Sequence, residues 1–221
     1  MPTPSSPRAL LQLALDDLSR EQIFALLDQV AAQVDIIEVG TPLLMRYGVE
    51  IITDIKRRYP GPKVLSDTKI MDAAHYEAVL SFDAGADYVT ILALTDDGSV
   101  TEAVRAAAEY EGRQIVADMI CVPDLPARAH QLAALGVDVI AVHTGVDQQA
   151  QGRTPLDDLR ELTDAQAGVP LAVAGGIARE TLADYLALGP HIVIVGGGIT
   201  GRPDPAAEVA HLHARLTQGL S

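Results

Sequence analysis

Short apolar runs alternate with amphipathic stretches eight times along the chain, and this alternation restricts the fold more than any other feature of the sequence. The predicted strands are 10–15, 36–39, 64–67, 88–92, 114–119, 137–142, 170–174 and 191–195. Most are β-branched and almost continuously apolar, as strands covered on both faces are. Between them lie stretches with helical spacing. Segment 22–32 sets Ile23, Leu26, Leu27 and Val30 on one face, and 100–109 and 125–135 mix alanine and leucine with charges, as helices of an outer layer do. Asp17-Leu18-Ser19 and Asp97-Gly98-Ser99 are helix start signals. Gly85-Ala86-Asp87 and Gly136-Val137-Asp138 each put a helix-ending glycine directly before a strand. Eight strand–helix units with short connections predict an α/β fold, a closed (β/α)₈ TIM barrel forming a single domain over residues 9–221, behind a loose tail of residues 1–8. A doubly wound open sheet is the competing arrangement. It would gather ligand groups at one crevice, whereas here they follow nearly every strand.

Composition removes several function classes. A formal net charge of −14 opposes non-specific nucleic-acid binding, and the absence of tryptophan, with Phe24 and Phe82 the only phenylalanines, leaves no base-stacking surface. No apolar run approaches the roughly 18 residues that span a membrane. Residues 1–8 lack the apolar segment of a signal peptide. Cys121 is the only cysteine, so no intrachain disulfide forms, and a reducing, cytoplasmic location is expected. An anionic small molecule remains compatible with the acidity, since backbone N–H groups and a local cation can hold a phosphate.

Barrel enzymes work at the C-terminal ends of their strands. Here that end collects Asp16 after the first strand, Glu38 on the second, and Asp67-Thr68-Lys69-Ile70-Met71-Asp72 at the third. Thr95, Asp96 and Asp97 follow the fourth, Asp118 lies on the fifth, and His143-Thr144-Gly145 ends the sixth. The opposite ends carry mostly proline, glycine and isolated charges. Strand alternation is expected to point Asp67 and Lys69 to the same side. A solvated loop with an incidental ion pair would explain Asp67 and Lys69 alone, but not acids, a lysine and a histidine around one mouth. Lys69 among carboxylates should stay protonated and act as an electrostatic donor rather than a Schiff-base nucleophile. Glu38 and Asp67, on adjacent strands, could share a divalent ion; hard oxygen donors favour Mg²⁺ or a similar cation, and a plain charge network around Lys69 is the alternative. His143 suits proton transfer near neutral pH, and His75 is placed to line the rim. Gly175-Gly176 and Gly196-Gly197-Gly198 are glycine turns after the last two strands, where a phosphate can approach the backbone. Arg202 either adds a cation there or faces water.

Taken in order, Leu11-Gln12-Leu13-Ala14-Leu15-Asp16, Glu38-Val39-Gly40-Thr41-Pro42, Asp67-x-Lys69-x-x-Asp72, Val142-His143-Thr144-Gly145, Ala174-Gly175-Gly176-Ile177 and Val195-Gly196-Gly197-Gly198-Ile199-Thr200 resemble the 3-hexulose-6-phosphate synthase family of the orotidine monophosphate decarboxylase suprafamily. The resemblance covers essentially the whole chain beyond the tail. It implies a lyase: a Mg²⁺-dependent aldol condensation of D-ribulose 5-phosphate with formaldehyde, giving D-arabino-3-hexulose 6-phosphate through a metal-stabilised 1,2-enediolate. In that scheme Glu38 and Asp67 carry the metal, His143 takes the C1 proton, and Lys69 stabilises the enediolate. Asp16, Thr95 and Asp118 meet the substrate, and Gly175, Gly176, Gly197 and Gly198 hold its phosphate. The resemblance further implies a homodimer in which Asp72 reaches the neighbouring subunit's site. Thr95-Asp96-Asp97 and the threonine after His143 resemble the synthases rather than 3-keto-L-gulonate-6-phosphate decarboxylases, in which an arginine is expected after that histidine. Such a decarboxylase, and a non-catalytic sugar-phosphate-binding barrel, are the alternatives. Ala74-His75 and Thr68 depart from the synthase pattern and leave room for a related aldehyde acceptor.

Overall fold

The computed structural model describes residues 8–145 and 154–218. Most of the expected tail, residues 1–7, lies outside them. Arg8, the eighth tail residue, is anchored: its guanidinium grips Asp35 at 2.7 and 2.8 Å.

The strands are β1 (Leu10–Leu15), β2 (Ile36–Val39), β3 (Lys63–Ile70), β4 (Tyr88–Leu92), β5 (Gln114–Asp118), β6 (Val139–His143), β7 (Leu171–Ala174) and β8 (Ile192–Val195). All pair in parallel in sequence order, and β8 closes on β1, with Leu13 opposite Val195. The open sheet is thereby excluded. The helices are α1 (Arg20–Val30), α2 (Thr41–Tyr47), α3 (Glu50–Arg58), α4 (Ala74–Asp83), α5 (Asp97–Ala108), α6 (Leu125–Leu135), α7 (Pro155–Ala165), α8 (Leu182–Leu186), α9 (Gly197–Thr200) and α10 (Pro205–Gln218). None is long and apolar enough to cross a membrane.

Two cores follow from strand alternation. Outward-facing strand residues such as Leu11, Leu13, Ile37, Val89 and Val193 pack with the apolar helix faces, including Ile23, Leu27 and Val30 of α1. Inward-facing Ile36, Leu65, Val116, Val139, Ala141, Ala172 and Ile192 fill the barrel. Ser19 and Gln22 form a reciprocal cap at the start of α1. Asp96, not Asp97, caps α5: its carboxylate accepts from the Ser99 N–H at 3.0 Å and hydroxyl at 2.9 Å. Gly136 ends α6 in the left-handed conformation at φ 88°, as its sequence position implied.

The N-terminal end of the barrel is more ordered than isolated charges would be. Asp35, Asp87 and Asp138 each lie one residue before an even-numbered strand. Each accepts the N–H of the second residue of the preceding strand, Leu11, Val64 and Ile115, in every case at 2.8 Å. Asp87 is additionally ringed by Lys56, Lys63 and Arg113.

β3 departs from simple alternation. Its pairing with β4 shifts register between Ser66 and Ile70, and Lys69 adopts φ 49°. This is a bulge, with the Lys69 N–H turned to the Thr90 hydroxyl at 2.9 Å. The bulge, not strand alternation, sets where Lys69 points.

Candidate active site

The C-terminal mouth holds a cavity of about 800 Å³ lined by Gln12, Asp16, Glu38, Thr41, Asp67, Lys69, Thr90, Asp118 and His143 on one side and the glycine turns on the other. Asp67 stands at its centre. Thr90 Oγ1 donates to its Oδ1 at 3.0 Å, and Thr41 Oγ1 to its Oδ2 at 2.9 Å. The Lys69 ammonium pairs with Asp67 and lies 3.9 Å from Asp118. Thr41 begins α2 directly after Gly40, so the clamp on Asp67 is built into the turn that follows Glu38. Gly40 itself is required by contact: a Cβ there would lie 2.0 Å from Asp16 Oδ1 and 2.6 Å from the Leu15 carbonyl. The sequence drew attention to Glu38-Val39-Gly40-Thr41-Pro42 but assigned no role to Gly40, Thr41 or Thr90.

Burial pushes the Glu38 carboxyl up to about 8, with the Asp67 charge adding to it and a 2.6 Å hydrogen bond from Gln12 Nε2 opposing it. Asp16 is also raised, by withdrawal from solvent first and by Asp67 second. Burial opposes the charge on Lys69, but Asp67, Asp118 and Glu38 outweigh it, and its pKa is raised. The lysine therefore stays cationic, as its acidic surroundings implied.

His143 and Asp118 form a pair, with Nδ1 2.8 Å from Oδ2, while Asp118 Oδ1 accepts the Ile120 N–H at 2.9 Å. The carboxylate fixes a tautomer with its proton on Nδ1, which leaves Nε2 as the base. Asp118 thus orients the histidine, a role the sequence reading, which placed it on the substrate, did not assign.

Other expected site residues fall elsewhere. Thr95 is buried, does not line the cavity, and donates its hydroxyl to the Met71 carbonyl at 2.6 Å. Asp97 binds Arg128 at 2.6 Å. Asp72 lies outside the cavity of its own chain, on a rim groove shared with His75, Tyr76, Asp96, Ser99 and Glu102. His75 lies 2.8 Å from Glu109. Arg202 pairs with Glu180 at 2.7 Å and does not line the cavity.

The glycine turns are packed against each other. Gly175 and Gly176 take φ 112° and 65°. A Cβ on Gly198 would meet the Ile177 carbonyl at 2.2 Å, whereas one on Gly197 would meet nothing within 4 Å, leaving that backbone open to the cavity. In α9 the Ile199 and Thr200 N–H groups donate to the Gly196 carbonyl at 2.8 and 3.0 Å, so it is the glycine backbone of Gly197 and Gly198 that lines the cavity as a wall suited to an anion.

Whether a divalent cation fits can be judged from the donors. Among the described residues no three histidine, cysteine or acidic side chains form a metal cluster. Two carboxylates on adjacent strands do face the same cavity, and Glu38 is held protonated to about pH 8 chiefly by burial and its neighbour's charge. A hard cation sharing Glu38 and Asp67 would offset that repulsion, with substrate and solvent oxygens completing its coordination.

Residues 9–212 match the orotidine 5'-phosphate decarboxylase / HUMPS family. The chain is 45% identical over 195 residues to 3-hexulose-6-phosphate synthase 2 of Staphylococcus saprophyticus, covering 88% of this chain and 91% of that protein. It is 40% identical over 209 residues to the 3-hexulose-6-phosphate synthase of Bacillus subtilis, covering 95% and 99%. The crystal structure of 3-hexulose-6-phosphate synthase from Salmonella typhimurium superposes with a TM-score of 0.92 at 52% identity, covering 95% and 99% of the two chains. With the whole barrel matched, mouth and floor alike, the chain belongs to the orotidine 5'-phosphate decarboxylase / HUMPS family.

Proposed function

We propose that this chain is a 3-hexulose-6-phosphate synthase, a lyase joining D-ribulose 5-phosphate and formaldehyde into D-arabino-3-hexulose 6-phosphate. The observation that carries the reading is the Asp118-oriented His143 on the same cavity as the Lys69–Asp67 pair, opposite a wall of two glycine turns. The names of relatives at 40–45% identity point the same way.

In this reading the glycine turns hold the phosphate, and its binding energy orients the reacting end of the sugar. Asp16 positions hydroxyls at the open side. His143 Nε2 removes a proton from C1, and Asp118 stabilises the resulting imidazolium. The negative charge that develops on the enediolate lies toward the Lys69 ammonium, where a fixed cation lowers the barrier most. Carbon C1 then attacks formaldehyde, and the proton held by His143 goes to the new alkoxide. Glu38 and Asp67 would hold Mg²⁺ or a similar cation, which when bound supplies Lewis-acid polarisation of the sugar oxygens.

A homodimer belongs to the same proposal. The exposed large apolar residues among the described ones, Met45, Met71, Tyr76, Leu80 and Leu94, all come from the segments that follow β2, β3 and β4, beside Asp72. A second copy covering that sector would bring its own mouth toward Asp72.

The test is to incubate the protein with Mg²⁺ and ribulose 5-phosphate, with and without formaldehyde, and follow formaldehyde loss and hexulose phosphate formation. Both are expected only when all components are present. Decarboxylation of 3-keto-L-gulonate 6-phosphate without formaldehyde fixation would overturn the assignment.

A further inference from the structure

We propose that Arg128 and Thr95 are positioning residues for the neighbouring subunit's active site, because together they fix the loop that carries Asp72. The inference rests on the reading above that Asp72 is lent across a dimer.

Arg128 projects from α6 into the segment between β4 and α5. Its guanidinium donates to the Ala93 carbonyl at 2.7 Å, the Thr95 carbonyl at 2.9 Å and Asp97 Oδ1 at 2.6 Å. Two carbonyls of the loop and the first side chain of α5 are thus held by one planar fork, a geometry lysine cannot reproduce. The loop passes the constraint on: the Thr95 hydroxyl donates to the Met71 carbonyl at 2.6 Å. Met71 immediately precedes Asp72, and the Asp72 carboxylate accepts the Ala73 N–H at 2.7 Å, with Ala73 in the left-handed region at φ 49°. Lys69, at the other end of the same stretch, is also left-handed. Ile70, between them, is still paired with Ile91 and buried, and the Thr95 hydroxyl fixes the next residue, Met71, where the chain leaves the barrel toward Asp72.

Thr95 and Arg128 do not line the cavity of their own chain, yet Thr95 is buried and Arg128 is only 13% exposed. The bracket thus fixes the backbone beside an exposed acid and touches nothing in its own chain's cavity. It also gives Thr95-Asp96-Asp97 a joint purpose: Asp96 caps α5, Asp97 receives Arg128, and Thr95 reaches Met71.

Mixed dimers of differently tagged chains test this. In the first arrangement Lys69→Ala is on one chain and Thr95→Val on the other. The site with Lys69 then receives Asp72 from a chain whose Thr95 is intact, and the activity of one wild-type site is expected. In the second arrangement both substitutions are on one chain, paired with a wild-type partner. The site with Lys69 now receives Asp72 from the Thr95→Val chain, and kcat/KM should be about 10- to 100-fold lower, the scale of loss from an ångström of misplacement. Thr95→Ser, which keeps the donor, should restore the second arrangement. If Thr95→Val chains fail to assemble, Arg128→Lys takes their place in the same two arrangements. Equal activity in the two arrangements would overturn the proposal. Asp72→Asn in place of Thr95→Val separates the two levels of inference. If it also shows no dependence on arrangement, the transfer of Asp72 across the dimer is wrong; if it does and Thr95→Val does not, only the bracket is wrong.

Discussion

Both ends of this barrel bury carboxylates, and they treat them in opposite ways. At the N-terminal end burial opposes the charges on Asp35 and Asp87, but the Arg8 fork and the Leu11 N–H for one, and Lys56 and the Val64 N–H for the other, outweigh it. Both carboxyls are held below the usual range. At the C-terminal end the burial of Glu38 and the repulsion of its neighbours win and its carboxyl is raised, and Asp16, on the exposed rim beside Asp67, is raised too. A carboxylate drawn below its usual range by cations and backbone N–H groups is a fixed structural charge. One left short of positive charge is poised to receive a cation or a polar substrate. The floor's carboxylates tie neighbouring strands together, and the mouth's are kept available at a cost in stability.

The comparison predicts activity lost without stability at one end and stability lost without activity at the other. The largest effect is expected from His143→Ala, a fall in kcat/KM on the order of 10²–10⁴-fold for loss of a general base, with the melting temperature nearly unchanged. Lys69→Ala should likewise abolish turnover while leaving the circular dichroism spectrum intact. Asp87→Ala should do the reverse, costing about 3–5 kcal/mol in urea unfolding because three cations and the Val64 N–H lose their partner. The activity per folded molecule should stay at the wild-type level, and a matching loss of kcat would break the division between the two ends.

The pH dependence sharpens the contrast. Asp35 and Asp87 have folded pKa values below the unfolded one, so their contribution is complete above about 3.9 and is lost as pH falls through the lower folded values. Glu38 has the opposite sign. Between its ordinary value of 4.5 and about 8 the folded chain keeps a proton that the unfolded chain has released, so the metal-free protein loses stability as pH rises through that window. Glu38→Gln should become progressively more stable than wild type between about pH 5 and about pH 8, measured by urea unfolding with a chelator present. A constant difference would contradict the pH sign. Added Mg²⁺ should raise the wild-type melting temperature more at the upper end of that range than the lower, and should not do so in Glu38→Gln. The smallest effect expected is from Thr41→Val, about 1 kcal/mol from one lost hydrogen bond to Asp67, together with a raised KM.

Much of this division was legible in the sequence, because it depends on period and position. Apolar runs gave β1, β2 and β4 with their observed ends, since buried parallel strands need no polar face. Asp16, Glu38, Asp67, Lys69 and His143 were placed at the mouth by lying where strands end. What escaped depends on which partner a polar atom finds. Asp118, which faces the cavity, also pairs with His143, and Thr95 meets Met71, choices that strand position alone does not decide. The bulge at Lys69 was hidden because no glycine marks it. Asp35, Asp87 and Asp138 looked like isolated charges, yet each follows the same rule, one residue before an even-numbered strand. That repeat was readable once the strands were assigned.

The most direct test of the account is exchange of the C1 protons of ribulose 5-phosphate with deuterium from solvent, followed by NMR with Mg²⁺ present and formaldehyde absent. The wild-type protein and Asp87→Asn are expected to exchange at the same rate per folded molecule, and His143→Ala and Lys69→Ala to show no exchange above the uncatalysed background. Exchange that survives loss of His143, or disappears with Asp87, would contradict the assignment of chemistry to one end of the barrel and structure to the other.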